Sequence, residues 1–151
     1  QAQQILSEES FPVCSPRLLA EGPALRSPRD LINHTIVRTV SPLIADEWSA
    51  WLQLATGSEV QFKREMSCSS LFLSTTAVLH GLGIGMGRTS LSRDDLAAGR
   101  LVEPFGIRLP SESSYYVLNH AEKADLPKVR WFKDWILAYF NRPGANGMAF
   151  G

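Results

Sequence analysis

The stretch SCSSLFLSTTAVLHGLGIGMGR, residues 67–88, decides how the fold is read. A helical segment runs from Ser69 to His80, and Gly81 supplies its stop. Thr75 and Thr76 inside it are mediocre helix formers, so packing has to hold this helix. A glycine-flanked apolar strand follows around Ile84–Met86, and QFKREMS (61–67) reads as the strand before. Strand, helix and strand in so short a span are the grammar of an α/β layered fold.

The same alternation continues outward in both directions. Toward the N-terminus, Asp46 caps an amphipathic helix with Trp48, Trp51, Leu52 and Ala55 at helical spacing, stopped by Gly57. TIVRTV (35–40) is a β-branched strand closed by Ser41-Pro42, and Ser27-Pro28-Arg29-Asp30 is a capping-box start for a brief helix ending near His34. SFPVC (10–14) is a short strand feeding a helix capped by Ser15, with Pro16 in its first position. Toward the C-terminus, Ser92 is read as the cap of a two-turn helix ending at Gly99, with Asp94 and Asp95 in its first turn. RLVEPF (100–105) and SYYVLN (114–119) are read as strands. Pro127 opens a last helix whose Val129, Phe132, Trp135, Ile136 and Tyr139 form one apolar stripe. The glycine-rich tail, 141–151, is expected to be mobile. A mainly parallel or mixed sheet follows from this order.

Composition narrows the function. Fifteen basic residues balance fifteen acidic ones, so no global field holds a polyanion without sequence preference. No apolar run approaches the roughly 20 residues that cross a bilayer. Gln1 to Glu9 lacks the basic start and apolar run of a secretory signal, which leaves a cytoplasmic address and no membrane partner. Cys14 and Cys68 are read as free thiols, the first as a small buried residue. His34, His80 and His120 show no metal-ligand spacing, and no nucleophile elbow is present, so neither metal, cofactor nor catalytic group is expected. Gly81 to Gly87 fails as a dinucleotide fingerprint, because it lacks the third glycine and leads into a strand instead of opening a helix. It reads instead as a helix stop and a strand packed closely under its neighbours.

The most suggestive local chemistry is Ser67-Cys68-Ser69-Ser70. Hydroxyls and free amides converge where a strand gives way to a helix, and an anionic or carbonyl-bearing ligand suits such a cluster. The plainer reading is that one serine merely caps the helix. On the strand at Tyr115-Tyr116, alternation sends one ring to the core and the other to a surface or cleft.

FPVCSPRLL (11–19), SPRDLINHTIVR (27–38), DEWSAWLQLATG (46–57), the serine cluster leading to LHGLGIGMGR (79–88), DDLAAGRLVEPF (94–105), SYYVL (114–118) and PKVRWFKDWIL (127–137) follow one another in a meaningful order. Together they resemble the effector-binding region of LysR-type transcriptional regulators. The Trp-x-x-Trp helix and the Asp-Glu before it resemble the branch that holds the glycine-cleavage and β-lactamase regulators. The resemblance implies a periplasmic-binding-protein-like fold, here one complete lobe plus the C-terminal part of the other. Residues 1–13 would be the lead-in and crossing strand, 14–108 the second lobe, 109–140 the return to the first lobe, and 141–151 a flexible tail. The first half of the first lobe, the winged helix-turn-helix and the linker helix of the family would lie outside this sequence.

The resemblance also implies a small-molecule effector in the interlobe cleft, a carboxylate, amino acid or peptide-like molecule. Ser69 and Ser70 match cleft-facing positions, Ser67 joins them as a candidate group, Tyr115 faces the cleft from the first lobe, and Asp46 at its helix start lines the same opening. A homodimer or higher oligomer, binding DNA only through the separate N-terminal domain, is the implied assembly. Two other classes fit less well: a transport-type solute-binding protein, and a small α/β enzyme with only the serine cluster in its favour.

Overall fold

The computed structural model describes residues 2–42 and 46–141. One five-stranded mixed sheet in the order β3-β2-β4-β1-β5 organises the chain. Its strands are β1 (Ala2–Val13), β2 (Thr35–Thr39), β3 (Arg64–Cys68), β4 (Ile84–Arg88) and β5 (Leu109–Leu118). Strand β2 runs parallel to β3 and β4, while β1 pairs antiparallel with β4 through Ser10–Val13 and with β5 from Ala2 to Ser10.

The helices are α1 (Pro16–Glu21), α2 (Glu47–Thr56), α3 (Leu71–Leu79), α4 (Thr89–Ala97) and α5 (Pro127–Asn141). On one sheet face Trp48, Trp51 and Leu52 of α2 pack with Leu31, Ile36, Ile84 and Cys14. On the other, Ala77 and Val78 of α3 pack with Phe11, Val13, Val37 and Leu101. Helices on both faces let the central strands carry apolar residues on both sides, which is why β2 reads as a β-branched run. The indole N–H groups of Trp48 and Trp51 donate to the Val37 and Ile107 carbonyls at 3.3 and 2.8 Å, so neither ring is buried with an idle donor.

Local signals in the sequence hold well. Ser15 Oγ accepts from Leu18 N, with Pro16 at the first helical position. Asp30 accepts from the Ser27 and Arg26 amides at the start of a 3-10 turn, Pro28–Asn33. Gly57 takes the left-handed conformation that ends α2, with φ of 68°. The close packing expected of the glycine strand is present: a Cβ on Gly87 would lie 2.6 Å from Ser92 Oγ and 2.8 Å from Val13 Cγ1. Cys14 is fully buried, and burial pushes its thiol up to about 11.

Four readings need correction. Helix α4 begins at Thr89, three residues before the expected cap, and Ser92 is buried inside it with Oγ accepting from Arg88 N at 3.1 Å. The N-terminal amide at Ser90 is capped instead by Glu8 Oε1 of β1 at 2.9 Å, a partner no local reading finds. Asp94 and Asp95 therefore fall in the last turns of α4, where Asp95 pairs with Arg100 at 2.6 Å. No strand forms over Arg100–Phe105. The Arg100 and Leu101 amides turn back to the Asp95 carbonyl, and only Val102 makes a single bridge, to Cys14.

Both strands flanking this region are longer than expected. The lead-in 2–9 is strand because β5 pairs with it, and β5 begins at Leu109, five residues early. The apolar stripe of α5 exists, but Phe132 and Trp135 remain 52% and 55% exposed, although β1 lies against this helix and Arg93 of α4 sits over the Tyr139 ring at 5.5 Å. Of the tail 141–151, only Asn141 belongs to the described residues, as the end of α5.

Candidate effector site

The carboxyl ends of β2, β3 and β4 lie along one edge of the sheet, and α2, α3 and α4 follow them in sequence. Their N-termini therefore collect at that edge, bringing unpaired backbone amides and the positive ends of three helix dipoles together. Open α/β sheets bind ligands at this edge. A cleft of about 230 Å³ opens there, lined by Arg38, Thr39, Val40, Asp46, Trp48 and Leu71 among others.

Asp46 sits in the cleft wall immediately before α2. Burial acts to raise its carboxyl, but the Ser49 hydroxyl at 2.7 Å and the Arg38 guanidinium outweigh it, and the group lies below the usual carboxylate range. Its contribution to stability is therefore present above the ordinary value of 3.8 and lost as pH falls through the lower folded value. Asp46→Asn should flatten that part of the acid-unfolding curve while leaving stability near neutral pH lowered. An unchanged stability difference between pH 7 and pH 3 would contradict this assignment.

Ser70 caps α3, with Oγ accepting from Leu73 N at 3.3 Å, and Leu71 beside it lines the cleft. Beneath that helix start, Ser74 Oγ and Thr39 Oγ1 are 2.6 Å apart. Ser67 and Ser69 are exposed at the end of β3, an edge strand, and none of Ser67, Ser69 and Ser70 is among the residues lining this cleft. Tyr115, on β5, is 44% exposed, and its hydroxyl lies 3.3 Å from Ser90 Oγ in the first turn of α4. The structure thus groups Asp46 with the Ser70–Leu71 helix start, and ties Tyr115 to α4.

Between these groups runs a polar track that the sequence reading missed. Glu47 Oε1 receives both Ser10 Oγ at 2.6 Å and Arg88 Nη2 at 2.7 Å, with the Glu47 and Arg88 side chains only 15% and 18% exposed. Ser90 continues the track to Glu8 and Tyr115. One signal was available: Arg88-Thr89-Ser90 follows a strand as directly as Ser67–Ser70 does, and its hydroxyls mark the true start of α4. Among the described residues, no group of three or more His, Cys, Asp or Glu side chains could hold a metal ion.

A mixed α/β sheet with helix starts converging on a polar cleft defines a ligand-binding module of the periplasmic-binding-protein-like class. The model of the LysR substrate binding domain matches residues 1–141, and the chain belongs to that family. The glycine cleavage system transcriptional activator of Escherichia coli K12 is 29% identical over 136 residues, covering 90% of this chain and 44% of that protein. The transcriptional activator AmpR of Enterobacter cloacae is 29% identical over 127 residues, covering 83% of this chain and 41% of its own length. In structure, the AmpR effector binding domain from Citrobacter freundii superposes with a TM-score of 0.72 at 23% identity, covering 95% of this chain and 68% of that one. The chain thus spans less than half the length of the full-length relatives it matches. These relatives are transcriptional activators, which favours the regulator reading over the transport-protein and enzyme readings.

Proposed function

We propose that this chain is the larger part of the effector-sensing region of a LysR-type regulator and holds a small molecule in a cleft between two α/β lobes. The observation that carries this reading is the convergence of the α2, α3 and α4 starts on one sheet edge, with Arg38, Asp46 and Leu71 at the opening. Free amides, hydroxyls and a guanidinium suit a carboxylate or carbonyl, so the ligand is a small carboxylate, an amino acid or a peptide fragment. Asp46 contacts it from the wall of the second lobe, 14–108, the Ser67, Ser69 and Ser70 group reaches it from the neighbouring strand-to-helix junction outside that wall, and Tyr115 faces it from the first lobe, to which 109–140 return. The crossing segment is 1–13. Leu118, Trp131 and Trp135, 55–74% exposed on β5 and α5, support this division, because an apolar surface of that extent calls for a covering layer such as the rest of a lobe.

Binding that favours one lobe arrangement over the other alters an oligomer whose separate N-terminal domains hold DNA, and does no chemistry on the ligand. The protein works in the cytoplasm. Among the described residues, no helix is long and apolar enough to cross a membrane.

The test is calorimetric titration with a panel of amino acids, small carboxylates and short peptides, followed by substitution. Tyr115→Phe removes one hydroxyl from an exposed ring and should weaken binding by roughly tenfold, one hydrogen bond's worth, with the melting temperature unchanged. Ser70→Ala should weaken binding similarly but also cost about 1 kcal/mol of stability, because the same oxygen caps α3. Wild-type affinity in both variants would move the site elsewhere, and turnover of any bound compound would favour an enzyme.

A further inference from the structure

The opposite edge of the same sheet carries a second cavity that the effector reading does not use. It has a volume of about 260 Å³ and lies where β2, β3 and β4 begin, under the end of α1. A five-residue strand separates the two edges, roughly 16 Å at 3.3 Å per residue. His34 stands in its wall, 3% exposed, and its Nε2 has no hydrogen-bonding partner. That nitrogen is sealed from solvent, so the ring builds the cavity wall and presents no donor to the interior through Nε2. Gly22 keeps the wall next to it bare: a Cβ there would sit 3.7 Å from His34 Cε1 and 2.5 Å from the Leu18 carbonyl oxygen.

Two guanidinium groups border the opening. Arg64 gives one nitrogen to the Asn33 carbonyl at 2.8 Å and keeps its remaining donors. Arg17 is held by Glu21 at 3.6 Å, a pair over 70% exposed on both sides and so weak enough to exchange. Helix C-termini gather at this edge, and their carbonyl ends disfavour anions, so any affinity for one must come from the arginines.

We infer that this amino-edge cavity is a second binding site, separate from the effector cleft, for a small oxyanion, a carboxylate or a phosphate monoester. Arg64 engages the oxyanion and Arg17 releases Glu21 to join it, with the His34 ring forming the wall behind them. Planar guanidinium forks match both carboxylate and phosphate geometry, and the cavity has room for such a head with a few carbons attached.

The test is a titration of the isotope-labelled chain at constant ionic strength, with inorganic phosphate in one series and propionate in another, followed by nuclear magnetic resonance. At least one series should produce saturable shifts at the His34 imidazole and the Arg64 side chain, with Ser70 and Asp46 unmoved. The stronger series identifies the head group. Arg64→Ala should weaken the midpoint at least tenfold, and because that side chain is exposed, the variant's spectrum should otherwise match the parent. Arg17→Ala should weaken it less. Shifts that never saturate, that survive Arg64→Ala, or that centre on Ser70 and Asp46 would overturn the assignment. Effector titration of Arg64→Ala separates this inference from the functional reading, since the cleft should bind as before.

Discussion

Replacing Glu47 with alanine should destabilise the protein by roughly 2–4 kcal/mol, the cost of leaving a mostly buried charge without its partner. Glu47 Oε1 is the shared acceptor of Ser10 and Arg88, and the Arg88 Nε is already buried without a hydrogen bond. Removing the carboxylate therefore strands a guanidinium that is 18% exposed and a hydroxyl on a fully buried strand residue. The double variant Glu47→Ala/Arg88→Met should recover most of that loss, because deleting both charges removes the uncompensated one. Chemical denaturation of the two single variants and the double measures the coupling. Additive losses would mean that the pair does not act as a unit. The same network joins the starts of α2 and α4 to β1, so effector affinity should fall in Glu47→Ala beyond what stability explains.

Trp51→Ala should have the larger effect on the fold, about 3–5 kcal/mol, as is usual for deleting a fully buried large aromatic. Its indole is 0% exposed, packs against Phe105 at 5.5 Å and Trp48 at 6.3 Å between ring centroids, and donates to the Ile107 carbonyl. That hydrogen bond fastens the segment entering β5 to the helix on the sheet face. In a chain of this size the loss corresponds to a melting temperature lower by about 10 °C or more. Trp51→Phe should recover part of the packing but leave the carbonyl of Ile107 without its donor. A drop under about 3 °C for the alanine variant would show that Trp51 does not anchor the core.

What the sequence revealed and what it hid divide by distance along the chain. Ser15, Asp30 and Gly57 act on residues within four positions of themselves, and each was readable as a cap or a stop, whereas Asp46 makes no side-chain cap bond to α2 and accepts from the Ser49 hydroxyl instead. The start of α4 was misplaced because its cap comes from Glu8, more than eighty residues away, and a buried serine nearby imitated a cap. Strand β1 was read at less than half its length, since 2–9 have weak alternation and become strand through pairing with β5. The site shows the same pattern. Asp46 and Ser70 were legible as helix starts, but alternation misled at Tyr115-Tyr116, where neither ring enters the core and both stay exposed, 44% and 53%, and the Ser10–Glu47–Arg88 junction joins three elements that no local window contains.

The position of β1 between β4 and β5 sets a schedule for how the molecule comes into being. Its N-terminal residue, Ala2, pairs with Leu118, and its other end closes on Arg88 to Gly85. As the chain leaves the ribosome, β1 waits for β5, the last of the five strands, to find its second neighbour, and closing so long a loop is entropically slow. Until residue 118 has emerged, the Ala2–Ser10 edge that β5 will cover stays incompletely paired and open to association with other nascent chains. Yield from cells should thus depend on synthesis rate and chaperone supply more than the stability of the finished protein would suggest.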